Sequence, residues 1–396
     1  MTIRILILTP GFPTNQDKKS YGGEFLLAEA EAYAQAGAHV RVLTPHAPGL
    51  PLHEKFPNGV EIVRFRYFFP TSQQKVRDSQ PIYSRSNLLW KLLQLPFFAL
   101  SFLFSIGREM RHADIVHANW TPTALLALPW QRFFKIPVVL TYRGSDLRLL
   151  PKWLNRFIIK RCAAILDVWG DTGWAIENRE VYPGRYIRLP LISRTPANGR
   201  LDNQGGLWPH SEKHFVFVGR LVSGTTIENL KGAKILIPAA SRLHKIHDFI
   251  LDIVGDGPDR EFLEKQRKEY NASEFVTIHG HRHNVFPYFQ NAFAVISNVG
   301  LSAVVQEAAR CKKPLIMPNE ASHNGKVWNH KKNAILYQPC SADALAEAMC
   351  FVLENPEESK KIAAAGYKTI KKYVKTPKEA GKEYLNAFEK IISIHR

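Results

Sequence analysis

Residues 249–270 read FILDIVGDGPDREFLEKQRKEY. FILDIVGDG has the length and apolar character of a strand that runs into a glycine turn. Pro258 then stands in the first turn of the helix PDREFLEKQRKEY, where its missing N–H leaves no hydrogen bond broken. Strand, tight turn and helix make half of a β-α-β unit. The fold depends on whether the rest of the chain repeats that half.

It does, in both directions. HFVFVGRL precedes it as a strand, and KGAKILIPAASRLHKI as a helix. FVTIHG, FAVISN and PLIMP follow as strands. Between and after them come the helices VFPYFQNA, the stretch opened by NVGLS, and SADALAEAMCFVLEN, whose start suits Ser341 and Asp343. The first half shows the same alternation. RILILTP is a continuous apolar run, as a strand buried on both faces requires. EFLLAEAEAYAQAG is an Ala-rich helix stopped by Gly37, and HVRVLTP, GVEIVRFRYF, ADIVHANW, IPVVLTYRGSD and CAAILDVW are further strands. Two such halves predict an α/β protein with a doubly wound parallel sheet in each. Residues 193–213, rich in Gly, Pro, Asn and Ser and without periodicity, read as the linker. The expected domains are 1–194 and 195–375, with 376–396 a C-terminal helix packing back on the first.

A chain of 396 residues is long enough for two cores. Its formal net charge of +18 favours anionic partners: phosphates, nucleic acid or an anionic membrane face. Cys162, Cys311, Cys340 and Cys350 lie far apart without CxxC spacing, which points away from a disulfide framework or zinc site and toward a reducing cytosol. IRILILTP is only strand-length, so no secretory leader is expected. LLWKLLQLPFFALSFLFSI, residues 88–106, approaches the ~20 residues that span a bilayer. Lys91, Gln94 and Pro96 interrupt it, and Arg85, Arg108 and Arg111 flank both ends. It reads as a helix that is either in the core or on a membrane surface.

Parallel sheets bind ligands at the carboxyl ends of their strands, so two facing domains imply a cleft between them. GxGxxG and GxxxxGK[ST] are absent, and so is a DxD pair. A bound diphosphate must then be held by fixed cations and main-chain amides. Arg220 ends a strand, and Lys231 begins the next helix. Gly300 allows close backbone approach, and Leu301 and Ser302 offer amides at a helix N-terminus. Glu307 is the one carboxylate on the helix that follows.

These residues carry a resemblance. FVGRL followed by NLKG resembles the Arg and Lys that clamp the donor diphosphate in GT-B glycosyltransferases, specifically the retaining family 4 group. IVGDGPDREFLE, VTIHGH, KKNAILYQPCSADALAEAM, YGGEF, ADIVHAN and VVLTYRGSDL resemble further landmarks of that family, in order over nearly the whole chain. The resemblance implies two Rossmann-like domains facing a central cleft, and sugar transfer from a nucleotide-sugar donor with retention, without metal or other cofactor. Glu307 falls on the second glutamate of the family's spaced pair and would accept hydrogen bonds from the ribose hydroxyls. Gly219 and the backbone at Gly280 and His281 would meet the donor. Gly22 and Gly23 would close on the phosphates, or simply form a turn. Arg143 and Asp146 would lie near the reacting centre, with Asp146 orienting Arg143 or capping the helix LRLLPKW. His117 would touch the sugar or serve a structural partner. The chain departs from the family pattern at Val299, in place of the first glutamate. It also departs at the insertion LVSGTTIE between Arg220 and Lys231, and at Arg143, where a histidine is usual.

The expected activity is transfer of a sugar from a UDP- or GDP-linked donor to a glycan or lipid-linked acceptor in cell-surface polysaccharide or glycolipid synthesis. The expected location is the cytoplasm, with peripheral contact on an anionic inner membrane face. The alternative is a non-catalytic relative that binds a nucleotide or glycan as a scaffold. His279, His281 and His283 alternate as metal ligands might, but no Cys or acid accompanies them nearby. Nucleic-acid binding lacks any aromatic-basic module, so no nucleic-acid partner is expected.

Overall fold

Strands β1 (Arg4–Leu8), β2 (His39–Pro45), β3 (His53–Lys55) and β4 (Glu61–Phe65) open the chain, with helix α1 (Glu24–Gln35) after β1. They are followed by α2 (Leu88–Met110), β5 (Ile115–Asn119), α3 (Thr121–Phe134), β6 (Val138–Thr141), α4 (Lys152–Arg161), β7 (Ala164–Asp167), β8 (Tyr186–Arg188) and β9 (Leu191–Ile192). The computed structural model describes residues 2–13, 24–74, 76, 88–142, 150–168, 184–192, 208, 212–221, 233–282, 284–298, 300–322 and 327–395. The chain divides into two units, Met1–Arg194 with Lys375–Arg396, and Thr195–Val374.

Among the described residues the first unit holds an eight-stranded sheet ordered β3-β4-β2-β1-β5-β6-β7-β8. All neighbours are parallel except the β3–β4 edge pair. The runs RILIL and IVHAN are buried almost end to end because helices cover both faces. On one face α2 packs on α3, and α3 on α4. Gly107 permits the first of these contacts: a Cβ there would lie 2.6 Å from the Trp130 ring, whose Nε1 donates to the Leu103 carbonyl (2.7 Å). The helix read over 88–106 extends to Met110.

The second unit comprises β10 (His214–Val218), α5 (Leu236–Leu243), β11 (Ile250–Val254), α6 (Arg260–Glu269), β12 (Val276–Gly280), α7 (Phe286–Asn291) and β13 (Ala294–Ile296). It continues with α8 (Ala303–Arg310), β14 (Leu315–Pro318), β15 (Ile335–Tyr337), α9 (Ala342–Glu354) and α10 (Pro356–Ile370). Its six-stranded sheet, among the described residues, is ordered β12-β11-β10-β13-β14-β15 and parallel throughout. The core gathers Phe215, Phe217, Leu251, Ile253, Leu263, Leu345 and Met349. The helix read from Lys231 becomes regular only at Leu236, after a 3-10 turn at Ala233–Ile235. Pro238 thereby stands in the first turn of the regular helix, where its missing N–H leaves no hydrogen bond broken.

After β16 (Val374–Lys375), α11 (Pro377–His395) packs on α1. Tyr33 of α1 meets Tyr384 and Phe388 at ring-centroid distances of 5.2 and 5.5 Å. Gly381 lets the helices approach, because a Cβ there would lie 2.1 Å from the Ala32 carbonyl oxygen.

Candidate active site

In the second sheet the strand order reverses between β10 and β13, the point at which a doubly wound sheet leaves a crevice beyond its carboxyl ends. Gly219 and Arg220 follow β10 there. The loop after β11 is laid against them, backbone on backbone. Gly255 has φ +151°, and a Cβ on it would lie 1.8 Å from the Gly219 carbonyl oxygen; Gly257 has φ +157°, with the corresponding contact 2.1 Å from that of Leu221. No L side chain fits either position. The layer is tied by Gly219 N–H to Val254 (3.0 Å), Leu221 N–H to Asp256 (3.0 Å) and Gly255 N–H to Gly280 (2.9 Å). At its far end Gly280, φ +70°, faces the Arg260 guanidinium, which pairs with Asp256 at 3.0 Å. The result is a main-chain platform from which the exposed Arg220 projects. Gly219, Arg220 and Gly280 are legible in the sequence, the GDGP spelling places Gly255 and Gly257 in a strand-end loop without giving their role, and nothing in the sequence marks Arg260.

On the other side of the switch point, Ser302 caps α8. Its hydroxyl accepts from the Val305 N–H at 3.3 Å, so one of its lone pairs is committed to its own helix. Leu301 is buried, which leaves its backbone for a ligand. The Gly300 carbonyl is pinned by Trp328, whose buried Nε1 donates to it at 2.5 Å. Glu307 is half-buried on α8. Asn298, unnoticed in the sequence, carries a buried side-chain Nδ2 with no hydrogen-bond partner. A donor buried at a strand's carboxyl end without an acceptor is costly unless a ligand supplies one.

Gly22, Gly23, Arg143, Asp146, Lys231 and Val299 lie outside the described residues. The described helix after Asp146 begins only at Lys152. Of the two readings of His117, sugar contact or structural partner, its contacts favour the second. It is fully buried in β5, with Nδ1 3.3 Å from the Tyr33 hydroxyl and Nε2 2.8 Å from the Thr141 hydroxyl. Both ring nitrogens are thus committed inside the first unit.

The alternating histidines part company as well. His281 is exposed, whereas His279 reaches inward to Asp252 Oδ1 at 2.6 Å. Asp252 is buried and also accepts from His214 Nδ1 at 2.6 Å, while His214 Nε2 faces Glu212 at 3.0 Å. Ionised carboxylates only accept, so a histidine between two of them is favoured as the doubly donating imidazolium. Burial opposes that charge, but the bonds to Asp252 and Glu212 outweigh it and hold His214 above its ordinary range. Burial would raise Asp252; its two histidine partners reverse the effect and hold it below the usual carboxylate range. Trp208 stacks on His214 at 3.8 Å.

Two other places attract notice and lie at the wrong edge of their sheets. A pocket of about 460 Å³, lined by Arg4, His39, Arg41, Glu61, Glu109 and His112, opens at the amino end of the first sheet. Its charges pair internally, Arg41 with Glu61 at 2.9 Å and Glu109 at 3.1 Å. His247, Cys350 and Glu354 form the candidate metal cluster among the described residues. They sit where α5 and α9 end, at the amino edge of the second sheet. Nε2 of His247 is 3.6 Å from the Cys350 sulfur and 3.4 Å from a Glu354 oxygen. Neither place adjoins the switch point, where chemistry in such sheets belongs.

The architecture, two α/β units with parallel sheets, is that of the GT-B class. Residues 22–168 match the family described as Glycosyl transferase 4-like domain, and residues 201–369 match Glycosyl transferases group 1. The chain belongs to the group 1 GT-B glycosyltransferases. No curated relative matches it by sequence. Among solved structures it is similar to sucrose-phosphate synthase from Thermosynechococcus elongatus, with TM-score 0.74, 18% identity, and 99% of this chain and 100% of that one covered. It is also similar to Anabaena HepE in complex with UDP and glucose, with TM-score 0.66, 14% identity, and 98% and 100% covered. A third is the trehalose-6-phosphate structure from E. coli bound with UDP-2-fluoro glucose, with TM-score 0.66, 11% identity, and 97% and 98% covered.

Proposed function

We propose that this glycosyltransferase moves a sugar from a UDP-linked donor to a glycan or lipid-linked acceptor, with retention at the anomeric carbon and without a metal. The observation that carries the reading is the switch point of the second sheet. There a glycine platform presents Arg220, and α8 opens beside it with Glu307 on its flank. The chemical need is to neutralise a departing diphosphate as positive charge develops on the sugar. Fixed cations and helix-end amides meet that need by preorganisation. Arg220 serves the diphosphate together with Lys231, the latter on the strength of its sequence context. Glu307 accepts from the ribose hydroxyls, and Asn298 donates to an oxygen of the donor. UDP in the similar structures supports the choice of base. The product would enter a cell-surface polysaccharide or glycolipid, made on the cytoplasmic side.

Val299, in place of the family's first glutamate, favours a second reading in which the chain binds donor as a scaffold without transfer. A UDP-sugar panel separates them. The first reading expects turnover that survives EDTA and, by NMR, a product whose anomeric configuration matches the donor. Donor binding with no transfer or hydrolysis supports the scaffold. An inverted product, or activity abolished by EDTA and restored by a divalent cation, would overturn the mechanism proposed.

A further inference from the structure

Helix α2 is amphipathic the wrong way round for a helix facing water. In its first turns the polar side chains point inward: Lys91 is 1% exposed and Gln94 0%, with Gln94 Nε2 donating to the Gln73 carbonyl at 2.7 Å. The apolar ones point outward. Leu89, Leu92, Leu93, Phe97, Leu100 and Phe104 are each 50–85% exposed and form one stripe along the helix. A surface helix in water shows the opposite pattern, and a continuous apolar stripe of this size marks an interaction surface. The neighbouring helices extend it, with Phe133 on α3 and Trp153 on α4 also strongly exposed.

The charge around the stripe has one sign. Among the described residues of α2, α3 and α4 the exposed charged side chains are Arg108, Arg132, Lys152, Arg156, Lys160 and Arg161. Glu109, the acid of these helices, is buried against Arg41 and Arg108. Apolar side chains rimmed by cations, with Trp90 and Trp153 at the margin, match a bilayer interface whose headgroups are anionic. The helix is long and apolar enough to cross a membrane. Its inward face argues against crossing: Phe102, Ile106 and Met110 are packed into the first unit's core with Val116 and Leu140.

We infer that the α2 stripe and its basic rim are a docking surface for an anionic lipid bilayer, with α2 lying in the plane of the interface and the outer faces of α3 and α4 beside it. This holds whether or not the sugar-transfer reading is right, since it concerns a different face and needs no donor. It gives a lipid-linked acceptor a reason to be met at the surface rather than in solution.

Sedimentation of the purified full-length chain with vesicles tests it. The chain is expected to pellet with phosphatidylglycerol-rich vesicles, to bind pure phosphatidylcholine much more weakly, and to be released by alkaline carbonate. Each outward apolar side chain lost should lower partitioning roughly five- to tenfold, so L93Q/F97Q/L100Q should lower it by about a hundredfold or more. These side chains are about half exposed, so circular dichroism should stay unchanged and the melting temperature should fall only slightly, through the lost edge contact of Phe97 with Phe68. R132Q/K152Q/R156Q should lose about fivefold per charge on anionic vesicles and little on phosphatidylcholine. Failure of the wild type to pellet with anionic vesicles overturns the proposal, as does undiminished binding by the apolar triple variant. Retention after carbonate would mean that the helix spans. A wild-type dimer that the triple variant makes monomeric, with no vesicle binding, would assign the stripe to a second copy instead.

Discussion

Gly255→Ala tests the platform under Arg220 most severely. The new Cβ would begin 1.8 Å from the Gly219 carbonyl oxygen, so the two backbones must part by about 1.2 Å merely to reach 3.0 Å. The residue sits at φ +151°, a region held almost only by glycine, where strain costs on the order of 1–3 kcal/mol. Parting the loops also stretches the Gly219–Val254 and Leu221–Asp256 backbone hydrogen bonds, worth about 1 kcal/mol each. The sum is roughly 3–5 kcal/mol, which for a unit of this size lowers its melting temperature by roughly 10 °C. Calorimetry of the full chain should show that shift in the transition of Thr195–Val374, and UDP titration should show weakened binding because Arg220 loses its footing. Gly37→Ala is the control. Gly37 has φ +100° with nothing within 4 Å of a Cβ, so it should cost only about 1–2 kcal/mol, in the other unit. A Gly255→Ala protein that melts within about 2 °C of wild type and binds UDP equally would refute the reasoning.

Three further outcomes are expected. Glu307→Gln should weaken UDP binding by roughly 10- to 100-fold and affect 2′,3′-dideoxy-UDP little, because a charged acceptor to hydroxyls is worth about 1.5–3 kcal/mol; equal losses for both nucleotides would count against a ribose contact. Asn298→Ala should raise KM for the donor about tenfold while leaving stability unchanged or improved, since it removes a buried donor without a partner; a large loss of stability would show that Asn298 is structural. The His214–Asp252 pair sets a pH window. Asp252, depressed in the folded state, contributes above about pH 4 and loses that contribution as pH falls through its folded value; His214, raised, contributes fully below about pH 6.5 and loses it as pH climbs through its folded value. The melting temperature of the second unit should therefore be highest between these limits and decline above them. Asp252→Asn should flatten the decline, and a profile identical to wild type would contradict the pairing.

The strands were legible because parallel sheets covered on both faces demand largely apolar runs; RILIL and HFVFV are apolar after their first residue, and ILDIV is broken only by Asp252. The platform was half legible. GDGP announced a turn, but only the structure shows that Gly255 and Gly257 exist to admit the carbonyls of residues 219 and 221. His117 was ambiguous because its partners, Tyr33 and Thr141, lie 84 and 24 residues away and follow no local pattern. Asp252 was hidden for the same reason, its histidines being 38 and 27 residues distant. The inverted polarity of α2 could have been read from the sequence only by knowing which face met the sheet. Lys91 and Gln94 interrupt the apolar run, and interruption alone does not say which way they point.

In the proposed reaction the diphosphate is neutralised by fixed cations and main-chain amides rather than by a metal. Calorimetric titration of UDP into the wild type and into R220A/K231A, each with and without EDTA, addresses it directly. EDTA should have no effect, and the double variant should lose affinity about a hundredfold or more, since each charge-assisted contact is worth about 1.5–3 kcal/mol. Unchanged affinity in the double variant, or binding that disappears with EDTA, would contradict it.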